Sequence, residues 1–186
     1  MSLRKTIEVI THLEKQGAIA RYAIAGAIAA LNYIQPTISE DLDILISTKE
    51  FEKRKSGLLL LTPIETALQD LGYTERSGVG YLIEGWPVQF LPVSNPLDEE
   101  ALEQAVEVEI TLPGEKALKA RVLRAEHIVA TALRLGRPKD IARIDAFLEQ
   151  KAVDPKQLRI VLANHHLLEA WRSFCAKYGK TDPLAR

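Results

Sequence analysis

The stretch Ala25-Gly26-Ala27, followed by Ser39-Glu40-Asp41-Leu42-Asp43-Ile44-Leu45, decides how this chain is read. Arg21 to Ala25 is a short apolar run expected to form a buried strand. Gly26 interrupts it, and the alanine-rich Ala27 to Tyr33 reads as a helix. A glycine where a strand turns into a helix lets backbone approach a phosphate, and the helix start offers unpaired N–H donors to it. Fifteen positions after Gly26 comes Asp41-Leu42-Asp43, leading into the aliphatic run expected as a strand over Leu42 to Ile46. The two-residue period of a strand points both carboxylates to one face. Like charges held that close are unfavourable unless a cation or a shared proton relieves them. Oxygen-only ligands of this kind suit Mg²⁺ or Mn²⁺, which keep positions for water and phosphate oxygens. An Asp-x-Asp alone also serves to blunt a strand edge. Its order and interval after Gly26 are what make it informative.

Outward from this stretch, Leu3 to Gln16 carries Ile7, Ile10 and Leu13 at helical spacing and ends at Gly17. Pro36, with Thr37 and Ser39, marks a loop over Gln35 to Glu40. Thr62, Pro63 and Glu65 have the pattern of a capping box opening a helix to Leu71. Tyr73 to Val93 reads as a β-meander whose last strand is Val88 to Val93. A helix over Leu97 to Val106 and a hairpin of Val108 to Leu112 with Leu118 to Val122 follow. Beyond Leu123 the pattern is helical: Glu126 to Leu135, a helix restarted by Pro138, one opened by Asp154-Pro155, and one over His165 to Tyr178. The expectation is an α+β body over residues 1–123, a mixed β-sheet flanked by helices, with a C-terminal helical region over 124–186 packed on it. No Pro/Gly/Ser-rich linker divides the two.

Composition bounds the function. The chain has 186 residues, 47% hydrophobic and 26% charged, which is the balance of a globular protein rather than a disordered one. No apolar run approaches the ~20 residues of a membrane span, and the N-terminus lacks a secretory apolar region. A single cysteine, Cys175, excludes an internal disulfide framework and suits a reducing cytoplasm. A formal net charge of −1 argues against a dedicated duplex-DNA binder. Charge is nonetheless segregated: Leu97 to Glu109 holds six acids and no base, and Lys116 to Arg143 is dominated by bases. That basic stretch reads as a solvated helix face or as a positive wall beside a nucleotide or RNA site.

The strand, Gly26 and the Asp41-x-Asp43 element in this order resemble the nucleotidyltransferase superfamily, in particular the polymerase β-like minimal nucleotidyltransferases. Downstream, Glu126-His127-Ile128-Val129-Ala130, then Leu135-Gly136-Arg137-Pro138-Lys139-Asp140-Ile141, then Asp145 and Leu148, resemble the C-terminal helices of the AbiEii-like toxin relatives of type IV toxin–antitoxin systems. The resemblance covers residues 18–150. It implies a nucleotidyltransferase-like fold and transfer of a nucleotidyl group from an NTP to a protein or RNA hydroxyl. It also implies Asp41 and Asp43 as catalytic Mg²⁺ or Mn²⁺ ligands, with nucleotide contacts at Gly26, Ala27, Ser39, Arg137 and Lys139. An antitoxin-like protein partner is the corresponding expectation.

Three departures bear on activity. Ala27 replaces the second small Gly or Ser of the glycine turn. Gln89 stands where the family carries a third carboxylate on a later strand; its carbonyl oxygen can serve as a neutral metal ligand but not as a base. Glu84 is the nearest substitute. Ala132 falls where relatives often have a lysine, and Arg134 is the available replacement. The second reading is therefore a catalytically reduced nucleotidyltransferase-like binding protein. A metal-dependent phosphohydrolase is the third. Against these stand plainer readings: Gly26 as a packing glycine, Arg137 to Asp145 as an ion-pair ladder within a helix, and Asp98, Glu99 and Glu100 as acids favoured at a helix start. His12, His127, His165 and His166 read as structural, Cys175 and Trp171 as core, and Trp86 as hairpin packing.

Overall fold

The computed structural model describes residues 2–35, 41–47, 61–78, 80–110 and 117–185. Its elements run α1 (Leu3–Lys15), β1 (Tyr22–Ile24), α2 (Gly26–Ala30), β2 (Leu42–Ile46), α3 (Thr62–Asp70), β3 (Arg76–Ser77), β4 (Gly80–Ile83), β5 (Trp86–Pro92), α4 (Pro96–Glu103), β6 (Val106–Ile110), β7 (Leu118–Val122), α5 (Ala125–Leu135), α6 (Pro138–Glu149), α7 (Pro155–Asn164) and α8 (Leu168–Tyr178). The strands form one mixed sheet in the order β3-β4-β5-β2-β1-β7-β6. Two pairs are parallel, β2 with β5 and β1 with β7, and the rest are antiparallel. This is an α+β fold with the helices packed about the sheet.

β2 lies at the centre of the sheet. Leu42, Ile44, Leu45 and Ile46 are all buried, and Asp43 is the one residue of the strand that is not. A central strand normally excludes charge because both its faces are covered. The exception at Asp43 therefore marks an opening over the sheet.

The helical region joins the same core. Ile128, Val129, Ile144, Phe147, Leu158, Leu162 and Trp171 belong to one apolar cluster with Ile24, Leu42 and Ile44. Gly136, at φ +64°, ends α5 in the left-handed region, and Pro138 starts α6 at once. That tight corner swings the N-terminal end of α6 towards the sheet. Trp171 is fully buried and donates its indole N–H to Asp182 Oδ1 at 2.8 Å. Cys175 is buried and its thiol is pushed up to about 11 by burial, with Asp182 adding to the effect. Both fit a packing role.

Several local expectations differ from the structure, among them Val106, which opens β6 rather than ending the helix before it, since α4 stops at Glu103. Thr62 is the first helical residue of α3 rather than its cap, and Leu61 precedes it with no side-chain cap bond. Glu65 does not close a capping box: its Oε1 accepts from Tyr81 Oη at 2.7 Å and from Arg76 Nη2 at 2.8 Å. A pull from β3 and β4 outweighs a local one. The helix after Gly26 is also shorter than its alanines suggest, ending at Ala30. The Pro113-Gly114 turn lies outside the described residues.

Candidate active site

A cleft of about 300 Å³ opens over β2 and β5, between the sheet and helices α5 and α6. The sheet contributes Asp43, Leu45, Gln89 and Leu91 to its floor. Gly26 lies at one side, with Ser94 and Asp98 from the α4 entry at another. The opposite wall carries Arg134, Arg137, Lys139, Asp140 and Arg143.

The floor is built by register. In the parallel β2–β5 pair, Asp43 stands opposite Gln89 and Leu45 opposite Leu91. Side chains two residues apart share a face, so Asp43, Leu45, Gln89 and Leu91 all point into the cleft. Asp41 precedes the first residue of β2 and is close enough to act electrostatically on Asp43. Burial raises the Asp43 carboxyl above its ordinary range, and the Asp41 charge adds to that; Lys139, Arg143 and Arg137 pull it back less strongly.

Gly26 has a more definite task than the one its position suggests. Its φ is +61°, and a Cβ placed there would lie 2.1 Å from Asp43 Oδ2 and 3.0 Å from Cγ. The Asp43 carboxylate rests directly on the glycine. The neighbouring Ala25 N–H donates to the Asp43 backbone oxygen at 2.8 Å, which fixes the bend against β2. The glycine thus clears space for the acid. α2 has only five residues, so its start contributes little dipole.

The wall is organised around Asp140, whose side chain is fully buried. Asp140 accepts from the Arg137 backbone N–H at 3.3 Å, from Arg137 Nε at 2.6 Å and from Arg137 Nη2 at 3.2 Å. Arg143 Nη1 reaches its Oδ1 only at 3.4 Å. The bond to Asp140 raises the Arg137 pKa still further. Buried charges require such partners, since an unpaired one costs several kcal/mol, on the order of 3–5. Arg143 Nε is buried without an acceptor among the described residues. Lys139 extends, exposed, from the first turn of α6.

The candidate residues therefore divide. Asp43, Gly26, Gln89, Arg137 and Lys139 meet at the cleft; Asp41 and Ala27 are not among its lining residues, and Ser39 lies outside the described residues. Glu84 sits in the β4–β5 turn at φ +52°, accepts from Tyr73 Oη at 2.6 Å and lies 3.9 Å from Lys5. It does not line the cleft. Arg134 lines it but is held by Asp98 at 3.0 Å. The ladder expected within α6 is incomplete, because Asp145 pairs with Lys180 of the C-terminal segment at 3.0 Å.

Three features escaped the sequence reading. Asp98 is buried and binds Ser94 and Asn95 besides Arg134, so it is more than a helix-start acid. Arg143 is a cleft residue. His127 is not isolated: its Nε2 lies 3.2 Å from Glu100 Oε1, while His165 Nε2 lies 2.9 Å from Glu100 Oε2. These contacts join positions 27 and 65 residues apart, which no local pattern signals.

For a metal, the cleft floor offers oxygen ligands at Asp43 and Gln89; Asp41 precedes β2 and is not among the residues lining the cleft, though its charge reaches Asp43. That chemistry fits a hard divalent cation such as Mg²⁺. No cluster of three or more His, Cys, Asp or Glu suited to a metal occurs among the described residues. Gln89 is the reason the third position is neutral.

Compared with known proteins, the chain matches no family profile and no curated protein. Solved structures similar to it include the antibiotic-resistance factor ANT(2'')-Ia in solution, at TM-score 0.47 and 14% identity over 92% of this chain and 95% of that one. A crystal structure of ANT(2'')-Ia in complex with adenylyl-2''-tobramycin scores 0.48 at 14% identity, over 93% and 97%. An antigenic nucleotidyltransferase-like protein from Paracoccidioides brasiliensis scores 0.45 at 17% identity, over 89% and 90%.

Proposed function

We propose that the cleft binds a nucleoside triphosphate with a divalent cation and transfers its nucleotidyl group to a hydroxyl on a protein or RNA. The observation that carries this reading is the placement of the Asp43 carboxylate on Gly26, facing a wall of cations from α6. Asp41 and Asp43 would hold Mg²⁺ or Mn²⁺, with Gln89 as a neutral third ligand. When bound, the metal neutralises phosphate charge and polarises phosphorus towards attack.

This chain's own residues do the remaining work. Lys139 and the guanidinium groups at the α6 wall balance the triphosphate charge. Leu45 and Leu91 give the floor apolar surface against which a base can pack. Asp140 and Arg137 hold the start of α6 in place. A role as a cytoplasmic toxin–antitoxin component with an antitoxin-like partner belongs to the same proposal, and the resemblance around Arg137 to Asp140 supports it. Among the described residues no helix is long and apolar enough to cross a membrane.

The test is incubation of the chain with α-labelled NTPs, Mg²⁺ and candidate protein and RNA acceptors, beside Asp43→Asn. Label transferred by the wild type and lost in the variant supports the proposal; equal labelling by the two defeats it. Gln89 favours one second reading, a module that binds nucleotide without turnover, because no carboxylate stands beside Asp43 on β5 to accept the proton of an attacking hydroxyl. Calorimetric binding of NTP with Mn²⁺ and no labelling would favour that form.

A further inference from the structure

The two arginines beside Asp140 are in opposite states. Arg137 docks the Nε–Nη2 edge of its guanidinium on Asp140, Nε to Oδ2 and Nη2 to Oδ1. That edge is the fork arginine uses to grip a carboxylate or phosphate with two parallel bonds. Here it is occupied. Arg137 cannot offer it to a ligand without uncovering a fully buried carboxylate.

Arg143 touches the same carboxylate with Nη1 alone, at 3.4 Å. Asp140 already accepts three shorter bonds from Arg137, so its need is met without Arg143. The Nε–Nη2 edge of Arg143 has no acceptor among the described residues, and Nε is buried in that state. Its side chain is 13% exposed and lines the cleft that also holds Asp43 and Gly26. A buried donor is normally bonded. An orphan one on a cleft wall marks a place where a ligand supplies the acceptor.

We propose that Arg143, not Arg137, is the arginine that grips the ligand's phosphate in this cleft, through its Nε–Nη2 edge, and that Arg137 is a positioning residue which satisfies Asp140 and so leaves Arg143 available. The assignment rests on the nucleotide-binding reading above and names the residue that reads the anion. Lys139 adds charge but lacks a planar fork, so it neutralises without fixing orientation.

The experiment is calorimetry of the full chain with Mg²⁺ and the α,β-methylene analogues of ATP and GTP, and separately with inorganic tripolyphosphate. Wild type, Arg143→Lys, Arg143→Gln and Arg137→Lys are compared, each with a thermal melt. Arg143→Lys keeps a cation near Asp140 but removes the fork. It is expected to weaken binding of both probe types by about ten- to a hundredfold with a nearly unchanged melting midpoint. Arg137→Lys is expected to lower the midpoint and to weaken binding less. Arg143 variants that bind like the wild type, or an Arg137→Lys whose affinity loss exceeds theirs, overturn the assignment alone. A wild type that binds neither nucleotide nor tripolyphosphate overturns the nucleotide reading, and this assignment with it.

Discussion

Asp43 and Gln89 face each other across the parallel β2–β5 pair, a carboxylate beside a neutral amide on one cleft floor. A cation there meets less negative charge than three acids would give. Gln89→Glu is therefore expected to raise Mn²⁺ affinity by about tenfold, since an added carboxylate ligand strengthens a hard-cation site. The gain should be smaller in mild acid. The Asp43 carboxyl, already raised by burial and Asp41, takes up a proton at higher pH than an ordinary acid, and a third charge beside it pushes further the same way. Mn²⁺ titrations of both proteins over a falling pH series read this, and a gain that does not shrink as pH falls would refute it.

Gly26→Ala should damage fold and site together. The new methyl would meet Asp43 Oδ2 at 2.1 Å, and the backbone is in the left-handed region at φ +61°. The conformational penalty alone is about 1–2 kcal/mol, and Asp43 must turn away to make room. Urea unfolding should show the loss, and metal titration should show weaker binding than the stability change explains. A variant with wild-type metal affinity would mean that the carboxylate has other room.

Arg137→Ala should destabilise more than an ordinary surface change. The Asp140 carboxylate would keep only the backbone N–H of position 137 at 3.3 Å and the long Arg143 contact. Charge-assisted bonds to a buried carboxylate are worth about 1.5–3 kcal/mol each, discounted here because Arg137 is half exposed. A total loss of ~2–3 kcal/mol is expected from chemical denaturation. Adding Asp140→Asn should recover part of it, because the buried charge is then gone.

The Glu100 cluster predicts acid sensitivity. Burial works to raise the Glu100 pKa, but hydrogen bonds from His165, His127 and Asn164 outweigh it and hold the group below its usual value. Burial also depresses His127 below the ordinary imidazole range, against the opposing pull of Glu100. In each case the unfolded chain takes up the proton first. Stability is thus full above the usual histidine range, about pH 6.5. It falls below that as His127 resists protonation, and again as pH drops through the Glu100 range. Urea midpoints at about pH 7.5 and 5.5 should show the first fall, and His127→Gln should flatten it.

Much of this architecture is written locally. The run Leu42 to Ile46 forms β2 within the predicted limits because aliphatic residues surround a single acid. Gly136 and Pro138 place the α5–α6 corner where their backbone preferences require it. Leu118 to Val122 likewise alternates as a strand pairing with β6. What escapes the sequence is partnership at a distance. Nothing near Thr62 reports that Tyr81 and Arg76 will claim Glu65. Nothing near His127 reports Glu100. The Arg137-Pro138-Lys139-Asp140 motif is visible, but the division of labour between Arg137 and Arg143 depends on which edge of each guanidinium meets Asp140. That is a matter of side-chain direction, which spacing does not encode.

The cleft is assembled from both halves of the chain: Asp43 and Gln89 come from the sheet, and the cations opposite them from α5, α6 and the corner between them. On the ribosome the acidic floor emerges long before the basic wall. Until residue 143 has left the exit tunnel, Asp43 has no opposing wall of cations. The complete cleft therefore forms late in synthesis, as the C-terminal helices dock.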